Sequence, residues 1–122
     1  MMILYKNTQP FEKDFKRLKK KYPTLSEDLA VAKKNAIELY HTHNIDNQSI
    51  KLIQRYQTET IQVFKLRKFA CKSLKGKGCF SGIRVMYAYT KEKQLIEFLE
   101  IYYKGNKSNP DQDRLKKFIK KH

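Results

Sequence analysis

The sequence predicts an α+β fold: an N-terminal strand and an α-hairpin packed on a mainly antiparallel twisted sheet, with a short C-terminal helix. Three observations carry that prediction. Apolar residues recur at helical spacing through residues 10–40. From Ile61 onward the pattern changes to runs rich in β-branched and aromatic residues, separated by turns. A last amphipathic stretch follows Pro110. The 122 residues are expected to form one domain, 1–122, and seven Phe and eight Tyr supply material for one core.

Residues 2–6 read as a short strand. Pro10 opens a helix with Phe11, Phe15, Leu18 and Tyr22 on one stripe, and Lys19, Lys20 and Lys21 stand where cations favour a helix C-terminus. Pro23 breaks the chain. Thr24 and Glu27 have capping-box spacing, and a second helix is expected to run to about Tyr40, with Leu25, Leu29, Ala32, Ala36, Ile37 and Tyr40 towards its apolar face. His41 and His43 are expected to be surface histidines at its end. Residues 44–60 are polar, contain one apolar patch at Ile50, Leu52 and Ile53, and receive no element. Residues 61–69, 80–90 and 94–103 read as strands, the last two joined by a turn at Thr90–Lys93 into a hairpin. The third is apolar on both faces, as a central strand would be. The segment between the first two, with Gly76 and Gly78 among lysines, reads as a flexible loop. Ser108 or Asn109 is expected to cap the final helix, with Pro110 in its first position and Leu115, Phe118 and Ile119 on its stripe.

Charge restricts the function. Lys plus Arg number 27 against 12 Asp plus Glu, a net of +15. Such an excess repels itself in a compact state and is well matched to a polyanion, whose counterions are released as phosphates are neutralised. No stretch reaches the roughly 20 apolar residues of a membrane span. The N-terminus lacks a signal-peptide pattern, so a cytoplasmic location with no membrane partner is expected. Cys71 and Cys79 fit no zinc or C-x-x-C spacing and are expected to be free thiols. No metal-protease, Walker, nucleophile-elbow or paired-carboxylate pattern is present, and no metal or cofactor is expected.

Side chains two apart on a strand share a face. In 61–69, Phe64 and Leu66 point to the helices, so Lys65 and Arg67 share the other face. Arg84, between Ile83 and Val85, is expected on that same open face, since a charge there needs water or an anion. Lys104 and Lys107 follow the third strand, Lys68 follows Arg67, and the loop adds Lys72, Lys75 and Lys77. Tyr87, Tyr89, Tyr102 and Tyr103 are candidates for stacking on bases, with core packing the stronger expectation for most of them. Clustered cations can position phosphates. They also lower one another's pKa, so that a lysine can serve as a general base near neutrality. Spacing alone favours binding over cleavage.

The stretch VFKLRKFACKSLKGKGCFSGIRVMYAYT, followed by QLIEFLEIYYKGNK, resembles the RelE/ParE superfamily of bacterial toxins, in particular its RelE-like and HigB-like ribonuclease branch. The shared features are a KLR-type strand, a Gly-Lys-rich loop, a G-x-R-V-x-Y strand and an apolar strand ending in K-G-x-K. The helical pair with its F-x-K-D-F-K-R-L segment fits as well, while 44–60 is longer than the family pattern. The resemblance implies a β-α-α-β-β-β order, often with a final helix. It implies a type II toxin that cleaves mRNA without a metal, commonly in the ribosome, and is inhibited by a cognate antitoxin protein. By position Lys65, Arg67 and Arg84 match the family's basic strand residues, and Lys104 or Lys107 matches the cation after the last strand. Catalytic roles are therefore expected for Lys65, Arg67, Arg84 and Lys104, and the residue pattern adds Lys68, Lys72, Lys75, Lys77, Lys107, Tyr102 and Tyr103 as expected RNA-binding residues. Members of this branch carry a late Tyr or His. Here no Tyr follows Tyr103, and the only late His is His122. Two other readings stay open: a ParE-like inhibitor of DNA gyrase, and a non-catalytic RNA-binding form of the fold.

Overall fold

A computed structural model of the chain describes residues 2–122; Met1 lies outside them. The chain runs β1 (Leu4–Asn7), α1 (Gln9–Lys21), α2 (Leu25–Ala32), a π-helical turn (Lys33–Ile37), α3 (Glu38–His41), β2 (Ile50–Gln57), β3 (Ile61–Leu66), β4 (Ile83–Thr90), β5 (Leu95–Tyr103) and α4 (Gln112–Lys121). The five strands form one sheet in the order β1-β5-β4-β3-β2. Only β1, which runs parallel to β5, departs from antiparallel pairing.

Local chemistry sets most of the boundaries. Thr8 caps α1: its Oγ1 accepts from Phe11 N–H at 3.4 Å and donates to the Phe98 carbonyl at 2.8 Å, tying the helix start to β5. Phe11 and Leu18 are buried from α1, and Tyr22 packs against Tyr103 with ring centroids 5.8 Å apart. Thr24 precedes α2, but the expected capping box does not form. Its hydroxyl turns to Asp28 Oδ2 at 2.7 Å and to Ser73 Oγ at 2.7 Å, while Glu27 reaches out to Lys72. At the other end of the chain α4 starts two residues later than Pro110. Asp111 is the cap, its carboxylate accepting from Arg114 N–H at 3.1 Å.

Residues 44–60, left without an element by the sequence, contain the edge strand β2. Gln54, Arg55 and Gln57 are exposed on it, so it lacks the apolar alternation of a half-buried strand. There are consequently four strands after the helices, one more than the β-α-α-β-β-β order. The predicted strands 61–69 and 80–90 are shorter at the loop side, ending at Leu66 and beginning at Ile83. The connecting loop is anchored to α2. Asp28, buried, accepts the Lys72 backbone N–H at 3.3 Å, and Ser73 N–H donates to Thr24 Oγ1 at 3.0 Å.

His41 is not a surface histidine. Its Nε2 is 2.8 Å from the buried Tyr87 hydroxyl, and its ring packs edge-on against Tyr40 and Phe64. Burial pushes its pKa down to about 4.

The sheet has two apolar faces. The α1–α2 side buries Phe64, Leu66, Val85, Tyr87, Ile96, Phe98 and Ile101 with Phe11, Leu25 and Ile37. The other side buries Tyr56, Val63, Met86, Ala88 and Leu99 under Leu115, Phe118 and Ile119 of α4. Arg114 fastens α4 by pairing with Asp14 at 2.5 Å and donating to the Leu99 carbonyl at 3.1 Å. A bulge in β5 shapes this second side. Tyr87 pairs with Phe98, but Met86 pairs with Glu100, so one extra residue intervenes. Before the bulge Ile96 and Phe98 face α1; after it Ile101 does, and Glu100 and Tyr102 come to the α4 side.

Candidate nucleic-acid interface

On the α4 side, the helix covers the part of the sheet around Tyr56, Val63, Met86, Ala88 and Leu99. Beyond it, strand register assembles a row of cations. Lys51 of β2 lies directly opposite Lys65 of β3, and Lys65 pairs with Met86 of β4, two residues from Arg84. Arg84 in turn faces Tyr102 of β5. Lys104 N–H donates to the Gly82 carbonyl at 2.8 Å, holding Lys104 at the same end of the sheet. Arg67 follows β3, with its N–H on the Ser49 carbonyl at 2.7 Å and its guanidinium on the Gln48 carbonyl at 3.3 Å.

The predicted residues Lys65, Arg67, Arg84 and Lys104 therefore share one end of one face. Lys65 is half-buried, and its pKa is lowered, first by that burial and then by the charges of Arg84, Lys51, Arg67 and Lys104. Among the described residues none of these five cations pairs with a carboxylate. Like charges set directly across a strand pair destabilise it. Five cations gathered without a counter-charge make a strongly positive patch, whose charge an anion would neutralise.

The other candidates divide. Lys68 continues from Arg67, half-buried, and Lys75 and Lys77 are exposed on the anchored loop. Lys72 is drawn to Glu27 at 3.4 Å, towards α2. Lys107 folds onto the buried Glu100. It meets Oε2 as a charge rather than as an aligned donor, so that oxygen is ion-paired yet makes no hydrogen bond; Oε1 accepts from Asp111 N–H at 2.8 Å. Tyr102 borders the row, but its ring is buried, and its hydroxyl has no hydrogen-bond partner among the described residues. Burial raises its pKa, Glu100 adds to the rise and Arg84 opposes it. Tyr103 points to the other face, against Tyr22. His122 stacks on Phe118 at the end of α4, with centroids 4.3 Å apart, away from the row.

Lys51 and Glu100 are the participants that sequence reasoning missed. Lys51 alternates with Ile50 and Leu52, a signal that would have placed it beside Lys65 had 50–57 been read as a strand. Glu100 gave no signal, because only the bulge brings it to this face.

No family model matches the chain, and no curated protein matches it. Among solved structures it is similar to the archaeal RelE–RelB complex from Pyrococcus horikoshii OT3, with 15% sequence identity, a TM-score of 0.51, and coverage of 86% of this chain and 98% of that one. The fold is RelE-like. Among the described residues no helix is long and apolar enough to cross a membrane.

Proposed function

We propose that the chain is the toxin of a type II toxin–antitoxin pair, a cytoplasmic, metal-independent endoribonuclease acting on mRNA, with the ribosome as the setting in which it meets its substrate. The observation that carries this reading is the unpaired cation row centred on Lys65, on a RelE-like fold. In the proposed reaction neutral Lys65 Nζ removes the 2′-hydroxyl proton. The 2′-oxygen attacks the adjacent phosphorus, Arg67 and Arg84 stabilise the charge gathering on the phosphorane oxygens, and the P–O5′ bond breaks as Lys104 gives a proton to the leaving oxygen. The products are a 2′,3′-cyclic phosphate and a free 5′-hydroxyl. Lowering the Lys65 pKa raises the fraction of free amine at neutral pH, which is what a base in this position needs.

The similar archaeal structure is a complex with RelB. An antitoxin that supplies carboxylates to the row would inhibit by the same electrostatics. A second reading, RNA binding without cleavage, is favoured by one observation: Tyr102 is the only Tyr or His that the register places beside the row, and its hydroxyl is buried.

The test is induction of the chain in growing cells, with primer extension on abundant transcripts. Cleavage that disappears in a folded Lys65→Ala, Arg84→Ala double variant supports the nuclease. Intact transcripts with damaged DNA point to a gyrase poison, and intact transcripts with salt-sensitive RNA binding point to the non-catalytic form.

A further inference from the structure

Phe80 is 72% exposed, although large aromatics of this chain are otherwise buried or half-buried. Its backbone is firmly held. Phe80 N–H donates to the Lys77 carbonyl at 3.0 Å, and Phe69 and Phe80 form an isolated bridge. The next residue, Ser81, is turned inward: its hydroxyl donates to the Phe69 carbonyl at 2.5 Å and accepts from Ile83 N–H at 3.1 Å. Neighbours along an extended chain point to opposite sides, so an inward Ser81 keeps the Phe80 ring in solvent. The position is beside the cation row. Gly82, two residues on, holds Lys104 by its carbonyl, and Arg84 follows at the start of β4.

Exposing a whole phenyl ring on an ordered backbone forgoes the burial that the other phenylalanines obtain. The surroundings show what would cover it. An apolar contact for a protein partner has further apolar side chains around it. The other large exposed apolar residues are Met2, Leu4, Val31 and Ile45, all on other elements. The loop that leads into Phe80 through half-exposed Cys79 carries exposed Lys75, Gly76, Lys77 and Gly78, and the Lys77 carbonyl accepts the Phe80 N–H. An isolated, fixed aromatic ring among cations is the combination that binds single-stranded nucleic acid, with charges following the backbone and the ring stacking on a base.

Building on the RNA reading of the row, we propose that Phe80 is a stacking platform for one nucleobase of the strand whose phosphates lie along Lys65, Arg67 and Arg84. It supplies an accessible aromatic surface that the buried Tyr102 and the turned-away Tyr103 do not.

The chain contains no Trp, so Phe80→Trp introduces a single reporter at the site. Binding is followed with 2′-O-methyl oligoadenylate, which cannot be cut because it has no free 2′-hydroxyl, and with inorganic polyphosphate, which has charge but no bases. The expected result is quenching of the Phe80→Trp fluorescence by the oligonucleotide and not by polyphosphate. Phe80→Ala should bind the oligonucleotide about fivefold to a hundredfold more weakly. Its polyphosphate affinity and the salt dependence of its binding should be unchanged, because no phosphate contact is lost. Arg84→Ala should weaken both polyanions and flatten the salt dependence. If Phe80→Ala binds the oligonucleotide as wild type does while Arg84→Ala does not, stacking is overturned, the RNA reading stands, and Phe80 is left for a protein partner. If wild type binds neither polyanion, both readings fall.

Discussion

Replacing Lys65 with Met should stabilise the protein while weakening its grip on RNA. Lys65 faces Lys51 directly across the strand pair and is near Arg84, Arg67 and Lys104, with no carboxylate partner among the described residues. On the cross-strand scale a directly opposed like pair costs up to about 1 kcal/mol. The three further cations add smaller amounts, and solvent screening at this half-exposed group removes much of the total. A net gain of about 1 kcal/mol is therefore expected, since Met preserves the unbranched length that packs on the sheet. For a chain of this size that raises Tm by roughly 3–5 °C. Urea melts, which leave ionic strength alone, should show the gain at low salt and show it shrinking as salt is added. The same variant should have an RNA salt-dependence slope shallower by up to about 0.7, the contribution of one cation on a single strand, because only the protonated fraction of Lys65 displaces a counterion. A variant no more stable than wild type, or a gain indifferent to salt, would refute the electrostatic argument.

Four further outcomes are expected. In a cleavage assay, Lys51→Ala removes a positive neighbour and should move the Lys65-dependent inflection of the rate to higher pH; an unmoved inflection assigns the base elsewhere. His41 titrates at about 4 when folded against an ordinary value near 6.5, so below pH 6.5 the unfolded chain takes up the proton first. Stability should fall by up to about 3 kcal/mol between pH 6.5 and 4 on that account, and His41→Gln should abolish that part of the decline in urea midpoints. Asp28→Ala leaves the Lys72 N–H without its acceptor, which should cost about 1–3 kcal/mol and lose hydrogen-exchange protection at Lys72 and Ser73 before the sheet is affected. Cys79, half-exposed, should react with iodoacetamide in the native state, while buried Cys71, whose thiol burial pushes up, should react only on unfolding; mass spectrometry of labelled peptides distinguishes them.

The parts of the site that were legible from the residues are those set by strict alternation. Lys65 beside Phe64 and Leu66, and Arg84 between Ile83 and Val85, are forced onto one face by a period of two. The rest depends on departures from a period or on distant partners. β2 lies at the sheet edge, where exposed Gln54, Arg55 and Gln57 hide the strand pattern and Lys51 with it. The π-helical turn at Lys33–Ile37 adds a residue to its turn and rotates α3 relative to a continuous α-helix, so His41 reaches Tyr87 instead of solvent. The Lys-rich loop looked free because its anchors, Thr24 and Asp28, lie more than 40 positions away in the chain.

The extra residue in β5 has a consequence for how this surface can vary. By its hydrogen bonds β5 is one strand; by the environments of its side chains it is two half-strands spliced out of step at Leu99. Deleting one residue at the splice would bring the halves into phase with every later side chain still on its present face, since the residue after Phe98 would then stand opposite Met86. Drawing the extra residue into regular alternation without shortening the strand would do the reverse: Glu100 and Tyr102 would turn into the core against α1, and Ile101 and Tyr103 would emerge among the cations. Substitutions along the row can adjust its charge one side chain at a time, whereas the bulge decides its whole β5 border in a single step.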